Sequence, residues 1–322
     1  MAQHRFSVIR GGGSDQEPGR WTTEIVRPSE LSEADIAGWR ALLARAAETS
    51  VLADPDVVLT LAQHCARGQL LRLLLVRQGS EDGTTVRAVL PVRLPGGLWL
   101  RGAARPWILP IVGPCAPVIE AAQAGAVLRT LLDDLAAGDR RIDALRLSGL
   151  APAGRIAAAL GEAATRAGRR LTLRPREERS APPPLSPDPL PRAPTSLERV
   201  REPRQVRDAV ERFLALEASG PGPCLLDDPP LATAFRVVVR RFAHRREACV
   251  DLVRRDGAVI AAAIHLGPPG RERIWRRAGL LLAGAQAPPR PGLTLEAEVS
   301  LARAGRREAE TRPAAPAVRQ AR

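Results

Sequence analysis

Residues Cys249 to Leu266, CVDLVRRDGAVIAAAIHL, read as two apolar runs joined at Arg255-Asp256-Gly257. Asp-Gly between such runs marks a hairpin, because the tight turn needs residues that tolerate positive φ. A second copy lies upstream. Leu70 to Val76 leads through Gly79-Ser80-Glu81-Asp82-Gly83 into Val86 to Val92. Two helical segments precede each hairpin, so the pattern is a duplicated α/β unit.

The first unit spans residues 21–174. Trp21 to Val26 is a short strand. Ser32 starts a helix, with Asp35 in the Glu position of a capping box and Ile36, Trp39 and Leu43 as its stripe. A second helix starts at Asp54-Pro55, with proline at its first turn. The hairpin follows, then a third strand at Leu98 to Leu100, a loop over 105–117, and a helix from Ile119 to Ala137. Ile142 to Leu147 is a strand, Ala153 to Ala167 a helix, and Leu171 to Leu173 a last strand. Residues 175–196 form a linker, with seven prolines between 182 and 194 favouring extended, semi-rigid chain. The second unit, 197–304, repeats the order. It has a helix from Pro203 to Ala218, another capped by Asp228, the Cys249–Leu266 hairpin, and a strand at Arg273 to Arg276. A Pro-rich loop over 287–292 then enters a helix from Leu293 to Ala304. Residues 1–20 and 305–322 read as disordered tails, leaving the second unit incomplete.

The net charge of +13 raises nucleic-acid binding as a possibility. The sequence contains no Lys, Asn or Tyr, so every one of its 48 basic residues is arginine. That composition follows from GC-rich codons whatever the function, and the arginines are spread along the chain. With five Trp and four Phe there is little to stack on bases. The cysteines (65, 115, 224, 249) and histidines (4, 64, 244, 265) show no metal-ligand spacing, so no metal is expected. No apolar run nears the ~20 residues that span a bilayer, and the N-terminus lacks a signal-peptide core. The expectation is a cytoplasmic protein without a membrane span.

Two helices, an antiparallel meander and a loop into a helix resemble the start of the GNAT acyltransferase fold. Phe213-Leu-Ala-Leu-Glu-Ala-Ser-Gly220, Asp256-Gly-Ala-Val-Ile-Ala-Ala262 and Arg290-Pro-Gly-Leu-Thr-Leu-Glu296 resemble, in order, segments of the CelD-like acetyltransferase family associated with cellulose biosynthesis. The chain departs from that family after Gly220, which is followed by Pro221-Gly-Pro-Cys224 in place of a Trp-Lys pair. It departs again after Trp275, where a Tyr and an acidic pair are replaced.

The resemblance implies tandem GNAT-like lobes, with mainly antiparallel sheets flanked by helices. It implies an acyl-CoA co-substrate and a small amine acceptor. Glu217 and His265 are the acid/base candidates. Arg290, Gly292, Leu293 and Thr294 would cradle the coenzyme A diphosphate at a helix N-terminus. Trp275 and Arg276 would meet substrate. The rival reading is a catalytically inactive GNAT-like binding or scaffolding protein, tied to exopolysaccharide production.

Overall fold

The structure, a computed structural model, describes residues 19–48, 50–65, 70–80, 83–96, 101–109, 113–138, 142–177, 195–279 and 293–303. The first lobe opens with strand β1 (Trp21–Val26) and helices α1 (Glu33–Leu43) and α2 (Pro55–His64). The hairpin of β2 (Leu71–Ser80) and β3 (Gly83–Arg93) leads to β4 (Gly102–Pro106). Three two-residue strands follow: β5 (Ile108–Leu109), β6 (Gly113–Pro114) and β7 (Val118–Ile119). The lobe continues with α3 (Ala124–Ala137), β8 (Ile142–Leu150), α4 (Arg155–Arg166) and β9 (Arg169–Glu177). The second lobe comprises β10 (Thr195–Val200), α5 (Pro203–Ala218), α6 (Pro229–His244), β11 (Ala248–Arg255), β12 (Ala258–Leu266) and β13 (Arg273–Gly279). One strand remains, β14 (Leu293–Arg303).

The repeated β-α-α-β-β-β order expected of two GNAT-like lobes is the order observed. Local chemistry sets the element ends. Ser32 accepts from the Asp35 N–H while Asp35 accepts from the Ser32 N–H, closing a capping box on α1. Asp54, Glu202 and Asp228 cap α2, α5 and α6, each followed by a proline. Asp256 (φ 50°) and Gly257 (φ 77°) carry the positive φ values that join β11 to β12.

The large sheet has strand order β1-β2-β3-β4-β8-β14-β9, with β7 paired to β3. It is antiparallel except for β4 beside β8. The small sheet runs β10-β11-β12-β13, antiparallel throughout. The last strand overturns an expectation. The sequence predicts a second-lobe helix over Leu293 to Ala304, whereas Leu293–Arg303 is a strand lying between β8 and β9 of the first lobe. Its residues explain this. Leu295, Ala297, Val299 and Leu301 recur every second position, with Ala297, Val299 and Leu301 buried, and Glu296 and Glu298 alternate with them on the opposite face. The first lobe is therefore closed by chain that follows the second, and the 197–304 boundary for the second lobe fails at its end. Smaller shifts occur elsewhere. The third strand of the first lobe is Gly102–Pro106, and the assigned Leu98–Leu100 lies outside the described residues, as does most of the Pro-rich linker. The helix assigned from Ile119 begins at Ala124.

Two apolar clusters build the core. One fills the space between α3, α4 and the large sheet, with Leu128, Leu131, Ile156 and Leu160 against Leu145 and Val299. The other runs through both lobes, joining Trp39, Val57 and Leu61 to Phe213, Phe235 and Phe242. Ion pairs rim this contact. Arg245 of α6 meets Asp54 at 2.9 Å and Asp56 at 2.7 Å, and Arg40 meets Asp56 at 3.0 Å. Among the described residues, no helix is long and apolar enough to cross a membrane.

Candidate functional site

The second-lobe candidates divide into engaged side chains and undescribed chain. Glu217, near the end of α5, is joined to Arg276 of β13 by an ion pair, and its other oxygen accepts from the Leu225 N–H at 2.9 Å. Two residues singled out from sequence thus hold each other, and together they fix the turn between α5 and α6. Trp275 stacks on Phe235 with ring centroids 4.7 Å apart and packs against the core. His265 Nε2 lies 3.1 Å from Asp251 Oδ2, while Arg199 grips the same carboxylate with two bonds of 2.7 Å. Burial would raise the Asp251 carboxyl, but Arg199 and His265 more than offset it and hold it well below the usual range. Arg290 and Gly292 lie outside the described residues. Leu293 and Thr294 begin β14 beside β9, where the Thr294 hydroxyl donates to the Arg176 carbonyl at 3.2 Å. The helix N-terminus expected there is absent, because the chain is a strand.

The first lobe holds a different feature. β4 and β8 make the only parallel pairing among the described strands, and it is short: Gly102, Ala103 and Ala104 face Ile142, Ala144 and Leu145. Beyond Ala104, β4 bends to β3, with Arg105 opposite Arg93 and Pro106 opposite Val92. β8 runs on to Leu150 with β14 on its far side. The two strands therefore open into a fork, and β8 past Leu145 has no strand on its β4 side among the described residues. Pro106 and Cys115 wall the fork, and the Cys115 N–H donates to the Trp107 carbonyl at 3.1 Å. Burial pushes the Cys115 thiol up to about 12, so it stays neutral and is no nucleophile.

A void of about 10 Å³ sits inside the fork, room for about one water. It opens beside a larger cleft of about 200 Å³ on the adjoining sheet face. Both share Pro106 and the β8 segment Arg146–Ser148. Ser148 is 1% exposed and its hydroxyl has no hydrogen-bond partner among the described residues. A buried hydroxyl without a partner is costly; Thr23 and Thr60 carry one as well, and Ser148 differs from them in lining both of these cavities. In the larger cleft Arg146 pairs with Glu298 at 2.7 Å, and Glu296 pairs with Arg176. Arg105 and Arg174 also line it, with no carboxylate partner among the described residues.

Sequence reading passed over these residues. The signal lay in the two-residue alternation of β14 and in Arg146 and Ser148 along β8. The pairing that unites them spans about half the chain. Among the described residues there is no group of three or more His, Cys, Asp or Glu arranged to hold a metal.

No protein-family profile matches the chain, and no curated protein matches it. Solved structures do resemble it. One is the C-terminal DUF2156 domain of a protein from Agrobacterium fabrum described as a lysylphosphatidylglycerol synthetase. It has 14% identity and a TM-score of 0.40 over 80% of this chain and 70% of that one. A tandem GNAT protein of the clavulanic acid biosynthesis pathway shows 17% identity and a TM-score of 0.34, over 83% and 82% of the two chains. A Bacteroides thetaiotaomicron protein of unknown function gives 10% and 0.36, over 82% and 97%.

Proposed function

We propose that this chain is an acyl-CoA-dependent N-acyltransferase of the GNAT type, with the acyl thioester taken up at the fork between β4 and β8. The observation that carries the reading is the fork itself. Three paired residues of parallel sheet give way to a strand edge that, among the described residues, has no neighbour and carries a buried hydroxyl without a partner. A strand edge without a neighbour accepts an extended, amide-bearing chain by backbone hydrogen bonds; the pantetheine arm of coenzyme A is such a chain, and its entry requires the fork to widen beyond the void of about 10 Å³. In the transfer, the amine nitrogen attacks the thioester carbonyl. A C–N bond forms, the C–S bond breaks, the amine gives up one proton, and the leaving thiolate takes one. The Ser148 hydroxyl is the donor available at the fork to a carbonyl oxygen or thiolate. This moves the donor site from the second lobe to the first. The CelD-like link to cellulose or exopolysaccharide production rests on the three sequence segments that suggested it, two in the second lobe and one that runs into β14 of the first lobe's sheet.

The test is calorimetric titration of acetyl-CoA into the protein and into Ser148→Ala, which removes the hydroxyl and adds no bulk beside a void of about 10 Å³. Binding to the wild type, weakened in the variant without a fall in Tm, is expected. No heat from either protein, in a folded sample, contradicts the reading.

A non-catalytic reading is favoured by one observation. Glu217, the acid/base candidate of the second lobe, has both oxygens occupied. Acetyl-CoA bound without thiol release across an amine panel would support it.

A further inference from the structure

We propose that the cleft beside the fork selects an acceptor bearing a carboxylate as well as its amine, an amino acid or a zwitterion of that size. This rests on reading the fork as the acyl-donor site.

The lining carries both charges in a usable form. Arg105 and Arg174 face the cleft without carboxylate partners among the described residues. A guanidinium presents a planar fork of donors suited to a carboxylate. Glu296 and Glu298 line the same space, each held by one arginine. A carboxylate has about four acceptor sites, so each retains capacity for an ammonium group. With each glutamate balanced by an arginine, a carboxylate meets Arg105 and Arg174, and an ammonium on the same molecule meets the spare acceptor sites of Glu296 and Glu298.

Size points the same way. The cleft is about 200 Å³, below the ~300–1,000 Å³ of pockets that hold drug-sized molecules. The alternative is an ordinary solvated sheet face crossed by ion pairs. Ser148 argues against it, since a buried hydroxyl with no partner among the described residues lines both the cleft and the fork. An acceptor seated in the cleft is thus next to the proposed thioester, and its amine reacts as written above.

The experiment measures thiol release from saturating acetyl-CoA with a panel of amino acids, each compared with its methyl ester. The ester keeps the amine and removes the carboxylate charge. At least one acid is expected to exceed its ester by tenfold or more in kcat/KM. Arg174→Gln and Arg105→Gln, both at exposed positions, should raise KM for the acid about tenfold and leave the ester unchanged. Equal rates for acid and ester, or variants with unaltered KM, would overturn the proposal. If no amine turns over, saturation-transfer NMR with the same amino acids decides. Binding lost in Arg174→Gln upholds the acceptor class, and binding by none rejects it. The two readings fail separately. Acetyl-CoA that does not bind, with amino-acid binding intact, removes the donor site alone. Acetyl-CoA that binds, with carboxylate-free amines preferred, removes the acceptor class alone.

Discussion

At the scale of single residues, Asp251 ties the second lobe's sheet together through Arg199 and His265. Its carboxyl titrates lower in the folded chain than its unfolded value near ~3.9. The stabilisation is therefore complete above that unfolded value and is lost as pH falls through the lower, folded one. Asp251→Asn should cost about 1.5–3 kcal/mol at pH 7. The gap between wild type and variant in urea midpoint should close steadily below about pH 4. A gap that stays constant down to pH 2 would show that the charge is not what matters. Glu217→Gln makes a different point. It weakens the tie to Arg276 and should lower stability by about 1–3 kcal/mol, while acetyl-CoA binding, placed in the other lobe, holds. A Glu217 acting as catalytic base would instead show intact stability and a collapsed kcat.

At the scale of elements, the turns and helix starts were legible and the last strand was not. The hairpins, the Ser32 box and the Pro-capped helices are written in local chemistry, where neighbours within four residues decide the conformation. The Asp256-Gly257 turn is an instance. A Cβ at Gly257 meets nothing within 4 Å, so Gly257→Ala pays only for its φ of 77°, about 1–2 kcal/mol. Gly279 has a similar φ of 81°, but a Cβ there would meet the Ile260 carbonyl at 2.3 Å. Gly279→Ala should cost clearly more than Gly257→Ala in matched denaturant titrations, and equal losses would contradict the packing at the end of β13. β14 was misassigned because a loop resembling a cofactor cradle preceded it, and that resemblance outweighed the alternation of Leu295, Ala297, Val299 and Leu301. Its partners, β8 and β9, are set by tertiary pairing that no local window contains. The fork was hidden for the same reason, since it exists only once β4 lies beside β8. Val299→Lys, a charge in the first lobe's core, should raise amide exchange in β8 and β9. Exchange raised only in the second lobe would place β14 elsewhere.

At the scale of the whole molecule, a shared apolar cluster, the α2–α6 contact and the returning β14 bind the lobes into one unit. Calorimetric unfolding should show one transition. Arg245→Ala strips Asp54 and Asp56 of a common partner. Its cost should be about 2–3 kcal/mol, below the ~3–5 of a fully buried pair because Arg245 is partly exposed. Two separate transitions in the wild type would contradict the shared core. The same connectivity places the proposed chemistry, because β14 supplies Glu296 and Glu298 to a cleft whose fork is built by the first lobe. Hydrogen-exchange mass spectrometry with and without acetyl-CoA tests this most directly. The expected result is protection of Ala104–Trp107 and Arg146–Ser148 on binding. Protection confined to the second lobe, around β13, would contradict the account.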